Sequence, residues 1–449
     1  MTTPIRDFVN RYARQGKARL HMPGHKGRGP LGCEGLDITE IQGADALYEA
    51  EGIIAESEKN AAALFSSGRT CYSTEGSSQC IRAMLYLAML HAAPASGRPV
   101  CLAARNAHKA FLFAAALCDF DVEWLYPETR TASLCSCPLS AGGLARTLDA
   151  MARRPFCVYV TSPDYLGGRL DLAALADVCH RRGIPLLVDN AHGAYLRFLP
   201  GLRHPMELGA DMCCDSAHKT LPVLTGGAYL HIGRNADPRY GEGAKQALAL
   251  FGSTSPSYLI LQSLDCANAL LAEDFPAQLL RCCARVRKLK GLLAARGFCV
   301  LPSEPVKLTL YTDGLRAAQM LRQGGAECEF ADSRHVVLMF SPGNSAEDYA
   351  RVALALDRPL PPLPECPAPL PPLQRAMTIR QAVFAPAEYV PAERALGRIC
   401  AAPAVSCPPA VPIAVSGERI SPEAVRAFES NGIARIAVVR EGRAARGAV

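Results

Sequence analysis

The chain has 449 residues, 49% of them apolar, enough for two or three domains with a sizeable core and inconsistent with a disordered or fibrous protein. Its net charge of +6, from 48 basic and 42 acidic residues, is too weak and too scattered to imply a nucleic-acid partner. No apolar run reaches membrane-spanning length and the opening MTTPIRDFVNRYARQGKARLHMPGHKG lacks an apolar signal core, so a soluble cytoplasmic protein with no membrane partner is expected.

In chain order, residues 1–60 form an N-terminal segment ahead of a large domain over 61–257. From about 68 to 232 short apolar runs alternate with helical patterns. PVCLAA (99–104) predicts a strand and HKAFLFAAALC (108–118) a helix. CVYVTSP (157–163) predicts a strand. DLAALADVCHRRG (171–183) follows as an amphipathic helix with Asp171 at its start and Gly183 as its stop, and IPLLVDNAH (184–192) as another strand. Apolar strands alternating with helices imply an α/β fold whose mostly parallel sheet is covered on both faces, with ligands at the carboxyl ends of the strands. A helical span over about 258–296, strand-like CVLPSEPVKLTLYT (299–312), a helix and HVVLMFS (335–341) predict a smaller α+β domain over 258–357. The proline-rich RPLPPLPECPAPLPPLQ (358–374) reads as a stiff linker, and residues 375–449 as a C-terminal module with a frayed tail. The 19 cysteines are irregularly spaced, with no paired CxxC sets, so most are expected to be small buried hydrophobes and no metal centre is expected.

Four stretches of the large domain carry chemistry. Gly76, Ser77 and Ser78 precede a strong helical pattern, where small residues let backbone N–H groups and hydroxyls reach a phosphate; the same serines also fit a plain helix cap. His108, just past a strand end, is placed to lie over a flat ring or simply to serve the fold. Asp189 ends an apolar strand and so points into the ligand crevice, where a protonated pyridine nitrogen would be its partner; capping the next turn is the alternative. His192 in the same DNAH stretch is a further cofactor-binding candidate. Lys219 stands in DSAHKT, between His218 and Thr220 and ahead of an apolar, glycine-containing run, with Ser216 nearby. A lysine in such surroundings loses its proton easily and becomes a nucleophile towards carbonyl carbon. Phosphate cradle, ring stacker, strand-end aspartate and lysine, in that order, point to pyridoxal 5′-phosphate.

The chain resembles the Orn/Lys/Arg decarboxylases of the aspartate-aminotransferase fold type, in particular their shorter bacterial form. The segments that carry the resemblance are RLHMPGHKGRG (19–29), LDITEIQGADALYEAEGIIAESEKNAAALF (36–65), SAHKTLPVLTGGAYLH (216–231), GSTSPSYLILQSLD (252–265), GGAECEFADSRHVVLMFSPG (324–343) and ERALGRICAAPAVSCPPAVPIAVSGERIS (393–421). The resemblance implies the type I pyridoxal-phosphate enzyme fold: a large domain with a mixed, mostly parallel sheet, a small α+β domain and a C-terminal α+β module. It implies Lys219 as the Schiff-base lysine, Asp189 as the partner of the pyridine nitrogen and His108 stacked on the ring. Ser77, Ser78, Ser216 and His218 would bind phosphate. It also implies a homodimer whose Thr254 and Ser255 reach the neighbouring subunit's phosphate, although SPSYLILQSLD reads equally as a helix start. The reaction implied is loss of the α-carboxyl group of a basic amino acid as carbon dioxide. Asp45, Glu327 and Glu329 are candidates for the substrate's cationic end, and also fit surface or structural carboxylates. Three departures stand out: Asn190 where an acidic residue is usual, Cys407 and Ala410 where an aromatic and a glycine are usual, and no proline before Gly417. Another vitamin-B6 reaction, such as transamination or β-elimination, and a catalytically silent relative are the rival readings.

Overall fold

The computed structural model describes residues 1–92, 97–129, 133–363, 370–402 and 410–441. Helices α1 (Pro4–Arg14) and α2 (Ile53–Leu64) lead into β1 (Arg69–Ser73) and α3 (Ser77–Leu90). Then come β2 (Val100–Ala104), α4 (Lys109–Cys118), β3 (Asp121–Leu125), α5 (Ala141–Ala150), β4 (Val158–Thr161), α6 (Leu172–His180) and β5 (Leu186–Asp189). The large sheet finishes with β6 (Met212–Asp215), α7 (Ala217–Thr220), β7 (Ala228–Ile232) and α8 (Pro238–Leu250).

Among the described residues, seven strands pair in the order β1-β7-β6-β5-β4-β2-β3. The run from β3 to β6 is parallel, while β7 lies antiparallel to both β6 and β1. The apolar strands divide their side chains by the period of two. Cys101, Ala103, Tyr159 and Leu187 face the core shared with α3, α4 and α8. Leu102, Val158, Val160, Leu186 and Val188 face α5 and α6. Both faces are therefore dry, which is why these strands are apolar at every position. Helix α6 starts where expected: Asp171 accepts the Ala174 N–H at 3.2 Å, and Gly183 beyond its end takes φ +61°.

The span expected as one helical run is two helices, α9 (Tyr258–Ala272) and α10 (Phe275–Ala295), broken at Glu273–Asp274 with Pro276 in the first turn of α10. Helix α9 shares a core with α1 and α2, through Tyr258, Leu261 and Leu264 against Ile5, Val9 and Ile54. The stretch read as one strand, 299–312, is also two: β8 (Cys299–Leu301) and β9 (Lys307–Tyr311), separated by the turn that holds Pro302 and Pro305. With α11 (Gly314–Gln323), β10 (Phe330–Ala331), β11 (His335–Met339) and α12 (Ala346–Ala355) they form a second, antiparallel sheet in the order β10-β11-β9-β8.

The C-terminal part holds α13 (Ile379–Val383), β12 (Ala387–Pro391), α14 (Pro422–Ser430) and β13 (Arg435–Val439), with β12 and β13 antiparallel. Part of the proline-rich stretch, Cys407 and most of the polar tail lie outside the described residues. Within them 17 cysteines are free thiols, and most are buried. No described helix is long and apolar enough to cross a membrane.

Candidate active site

Strands β4, β5 and β6 are parallel neighbours, so their carboxyl ends lie side by side. Asp189 is the last residue of β5 and is 2% exposed. Its Oδ2 accepts from the Tyr159 hydroxyl at 3.1 Å and its Oδ1 from the Ala191 N–H at 3.1 Å. Burial pushes its carboxyl above the ordinary aspartate range, and the Lys219 charge is the first influence pulling it back. A carboxylate in this position is stabilised by a cation placed against it.

Lys219 lies in α7, the single helical turn after β6, and is half-buried. Burial lowers its amine below the ordinary lysine range, against the opposing pull of Asp189 and Glu329, with Lys307 adding to the depression. Its Nζ lies 3.1 Å from His192 Nε2. The loop after α7 braces this turn. The Gly227 carbonyl accepts from the His218 N–H at 3.2 Å and faces His218 Nδ1 at 3.0 Å. Gly226, at φ +99°, has no room for a side chain, since a Cβ would sit 2.8 Å from the Thr74 carbonyl oxygen.

The Gly226 carbonyl also accepts the Gly76 N–H at 2.7 Å, tying the lysine loop to the start of α3. Gly76 caps that helix at φ +74°, and a Cβ there would meet open space, so backbone conformation alone requires glycine. Ser216 donates to Ser77 Oγ at 2.7 Å, and Ser78 lies in the same first turn. His108 is the N-cap of α4: its Nδ1 accepts from the Ala110 N–H at 3.1 Å. Burial, then the Lys219 and Lys109 charges, push its imidazole down to about 4, so it is neutral near pH 7. Two buried hydroxyls beside these residues have no hydrogen-bond partner: Thr161 Oγ1, on the residue paired with Asp189 between β4 and β5, and Thr220 Oγ1, next to Lys219.

The residues named from sequence thus gather unevenly. Lys219 lies against His192 and within electrostatic reach of Asp189 and His108, while Gly76, Ser77 and Ser78 start α3 and are tied to the lysine loop through Gly226 and Ser216, with His218 beside Lys219 in α7. Thr254 and Ser255 stand exposed on the loop after α8, where the Ser253 N–H donates to Glu75, the residue before Gly76. Of the three acidic candidates, Asp45 is a structural staple, accepting backbone N–H groups from Ala46, Glu51, Gly52 and Ile54. Glu327 pairs on the surface with Arg322 at 2.8 Å. Glu329 is exposed, accepts from the Tyr165 hydroxyl at 2.5 Å and lies within electrostatic reach of Lys219.

Sequence reasoning missed the residues that reach these groups from elsewhere: Tyr159 under Asp189, and Lys307 and Glu304 from the small sheet. It also missed a buried network behind Lys219. Asp215 Oδ2 lies 3.0 Å from His204 Nε2 and 3.2 Å from His231 Nε2, and Asn190 Nδ2 donates to its Oδ1 at 2.6 Å. Burial would raise the Asp215 carboxyl, but the two histidines outweigh it and hold it well below its ordinary value. The three side chains have metal-type ligand atoms within 4.8 Å of one another. Hydrogen bonding already uses them: the Met206 N–H donates to His204 Nδ1 at 3.3 Å, which leaves the proton on Nε2, facing Asp215. Asn190, next to Asp189, and Asp215, next to Ser216, thereby link the ends of β5 and β6. An acidic residue at 190 would set two carboxylates against each other there.

The family model described as Orn/Lys/Arg decarboxylase, major domain, matches residues 3–309. The chain belongs to the Orn/Lys/Arg decarboxylase family. An arginine decarboxylase of Bacillus subtilis (strain 168) is 27% identical over a gapped alignment of 469 positions that spans 94% of this chain and 92% of that protein. The uncharacterized protein YaaO of the same organism is 28% identical over a gapped alignment of 466 positions, spanning 95% and 93%. Among solved structures, the constitutive lysine decarboxylase of E. coli superposes with a TM-score of 0.77 at 18% identity, over 98% of this chain and 82% of that one. The Francisella novicida lysine decarboxylase LdcF gives 0.79 at 16%, over 98% and 81%. The architecture of this family member is that of the type I pyridoxal-phosphate enzymes, a fold that acts on amino-acid-like substrates.

Proposed function

We propose that this family member binds pyridoxal 5′-phosphate at Lys219 and removes the α-carboxyl group of arginine, lysine or ornithine as carbon dioxide, leaving the corresponding amine, a polyamine precursor. The observation that carries this reading is the buried Asp189 carboxylate within electrostatic reach of the Lys219 amine, with the small-residue start of α3 hydrogen-bonded to the lysine loop. The residues fit the cofactor on their own chemistry. Lys219 is an amine whose proton is destabilised by burial. Asp189 is a buried carboxylate in want of a cation. The first-turn N–H groups and hydroxyls of Ser77 and Ser78, with Ser216, suit a phosphate, and Thr161 and Thr220 hold hydroxyls with no partner of their own. When bound, the cofactor supplies an aldehyde carbon for amines and a ring that withdraws electrons from Cα.

The protein's part is positioning and charge. Asp189, locked by Tyr159 and the Ala191 N–H, would keep the ring nitrogen protonated. His108, neutral and fixed as a helix cap, would lie on the ring face. Asp189 and His108 would set the ring plane, and the side chains around them would turn the bond to the leaving carboxylate out of it. Glu329, exposed and hydrogen-bonded to Tyr165, would receive the cationic end of a basic amino acid. The free thiols among the described residues suit the reducing cytoplasm, and a homodimer is the expected assembly.

Carbon dioxide release, measured with a panel of arginine, lysine and ornithine, tests the reading. A diamine or agmatine as co-product supports it. A keto acid or ammonia without carbon dioxide would move the protein to another vitamin-B6 reaction, and no turnover with bound cofactor to a silent relative. Borohydride should fix the cofactor to Lys219 and to no other tryptic lysine.

A further inference from the structure

A buried ion pair from the small sheet points at the large domain's lysine. Lys307 opens β9, and Glu304 precedes it in the turn after β8. Lys307 Nζ lies 2.9 Å from Glu304 Oε1, with both side chains at 0% exposure. The same ammonium donates to the Asp164 carbonyl at 3.3 Å and faces His192 Nδ1 at 3.4 Å. The other imidazole nitrogen, Nε2, faces Lys219 Nζ at 3.1 Å. The Tyr165 ring meets His192 edge-on, 4.8 Å between centroids, and lies 5.9 Å from Lys307 Nζ. One imidazole is thus held between two lysines.

Hydrogen-bond parity decides what this arrangement permits. A neutral imidazole has one N–H and one lone pair, and an ammonium has no lone pair at all. Burial raises the Glu304 carboxyl, the Lys307 ammonium 2.9 Å away opposes that most strongly, and this close contact favours the ionised pair. Lys307 then takes the Nδ1 lone pair, the imidazole proton stands on Nε2, and that N–H is satisfied only by a lone pair on Lys219. The opposite arrangement, with Lys219 as ammonium donating to Nε2, would turn the Nδ1 proton against the Lys307 ammonium. A doubly protonated imidazole is opposed by burial and by the Lys307 charge against its Nδ1. Asp189 and Glu329 favour charge on Lys219, while burial and Lys307 oppose it.

We propose that Glu304 and Lys307 are positioning residues that act through His192, fixing its proton on Nε2 and holding the Lys219 nitrogen as an unprotonated amine. An unprotonated amine is what attack on an aldehyde carbon requires, so the inference deepens the function proposed above and rests on it for its catalytic meaning. It also makes the reactivity of the large domain's lysine depend on a residue of the small sheet.

The test uses the full-length chain with ring-15N histidine, the His192 signals being assigned by their loss in His192→Gln. Two-bond proton–nitrogen couplings show which ring nitrogen carries the proton. The expected result is a neutral His192 with its proton on Nε2, and a mixture of tautomers in Lys307→Met and in Glu304→Gln. In parallel, pyridoxal phosphate is added and growth of the borohydride-sensitive visible band is followed against pH. Capture by Lys307→Met should need a pH higher by about one unit, roughly tenfold slower near neutrality, while Lys307→Arg keeps the tautomer and most of the rate. A wild-type proton on Nδ1 would overturn the proposal. So would variants that fold, by circular dichroism, and leave the tautomer unchanged, even with a shifted pH profile, since that shift alone is plain electrostatics. If Lys307→Met does not fold, Glu304→Gln, which keeps the volume, decides. Failure of the wild type to take up pyridoxal phosphate would sink the proposed function, while the couplings would still decide the tautomer.

Discussion

At His108 one side chain serves two ends. Its Nδ1 caps α4, and the rest of the ring is left for the proposed cofactor. Burial and the neighbouring lysines place its titration at about 4, against about 6.5 for an unfolded histidine. The unfolded chain therefore binds more protons between these values. The contribution of His108 to stability is present in full above the unfolded value and is lost as pH falls towards the folded one. Ring-proton NMR of the cofactor-free chain should show a midpoint near 4, and His108→Gln should flatten the urea-stability profile across that window; a midpoint near the unfolded value would contradict the burial argument. Asp189 carries a different kind of prediction. In Asp189→Asn the amide oxygen can still accept from the Ala191 N–H, so the fold should survive, but a neutral amide cannot hold a ring nitrogen's proton. The turnover number should fall by about two to three orders of magnitude with an unchanged melting temperature. Near-normal turnover would remove Asp189 from the role proposed for it.

Helix α4, which carries His108 at its start, is held at both ends by the C-terminal part. The Lys109 N–H donates to the Ala410 carbonyl at 3.0 Å, and Arg380 of α13 donates to the Ala116 carbonyl at 2.9 Å. Ala410 itself is buried at φ +58°. Next to this helix, at the end of β2, buried Arg105 donates to the Pro412 and Ile413 carbonyls at 2.9 Å each, lies 3.7 Å from Glu418 and stacks 5.3 Å from the Trp124 ring. Arg105→Ala would leave Glu418 buried without its cation, so stability should drop by about 3 kcal/mol, and Arg105→Lys should restore little, lacking the planar fork. Equilibrium urea unfolding reads this; a loss too small to measure would mean the module is held elsewhere. Arg105 had no visible role in sequence, because its partners lie some 300 residues away. The elements that were legible, β2, α4, β4, α6 and β5, combine apolar runs with caps or stop signals. The edge strand β3 (DVEWL) buries only Val122 and Leu125, three residues apart, and β6 (MCCD) is four residues long, so neither gave a clear pattern. The same limit divides the site. Asp189, His192 and Lys219 lie at strand ends, where order along the chain reveals them. Tyr159, Glu304 and Lys307 are apolar-strand or small-sheet residues whose meaning is tertiary proximity alone.

The single chain leaves large apolar side chains open to solvent. Leu20 and Leu31, in the segment before α2, are 91% and 82% exposed, and Thr254 and Ser255 offer hydroxyls to solvent from a loop that adjoins the start of α3 through Ser253 and Glu75. Thr254 and Ser255 precede Pro256, and Ser257 caps α9 by accepting the Ile260 N–H at 3.4 Å, so the cap role belongs to Ser257 and the two hydroxyls ahead of it are free for another. In a two-fold dimer any loop that reaches across does so twice, and each site then draws on both chains. Mixing two inactive variants separates shared from private sites. One is Lys219→Ala; the other carries Thr254→Ala and Ser255→Ala. If the loop completes the neighbour's site, a mixed dimer has one site with both defects and one with neither, and about half of a normal dimer's activity returns. If the loop serves its own chain, every site in the mixture keeps one defect. Tagged subunits establish that exchange has occurred, and a mixture that exchanges yet stays inactive would rule out the shared site, leaving Thr254 and Ser255 to the chain that carries them.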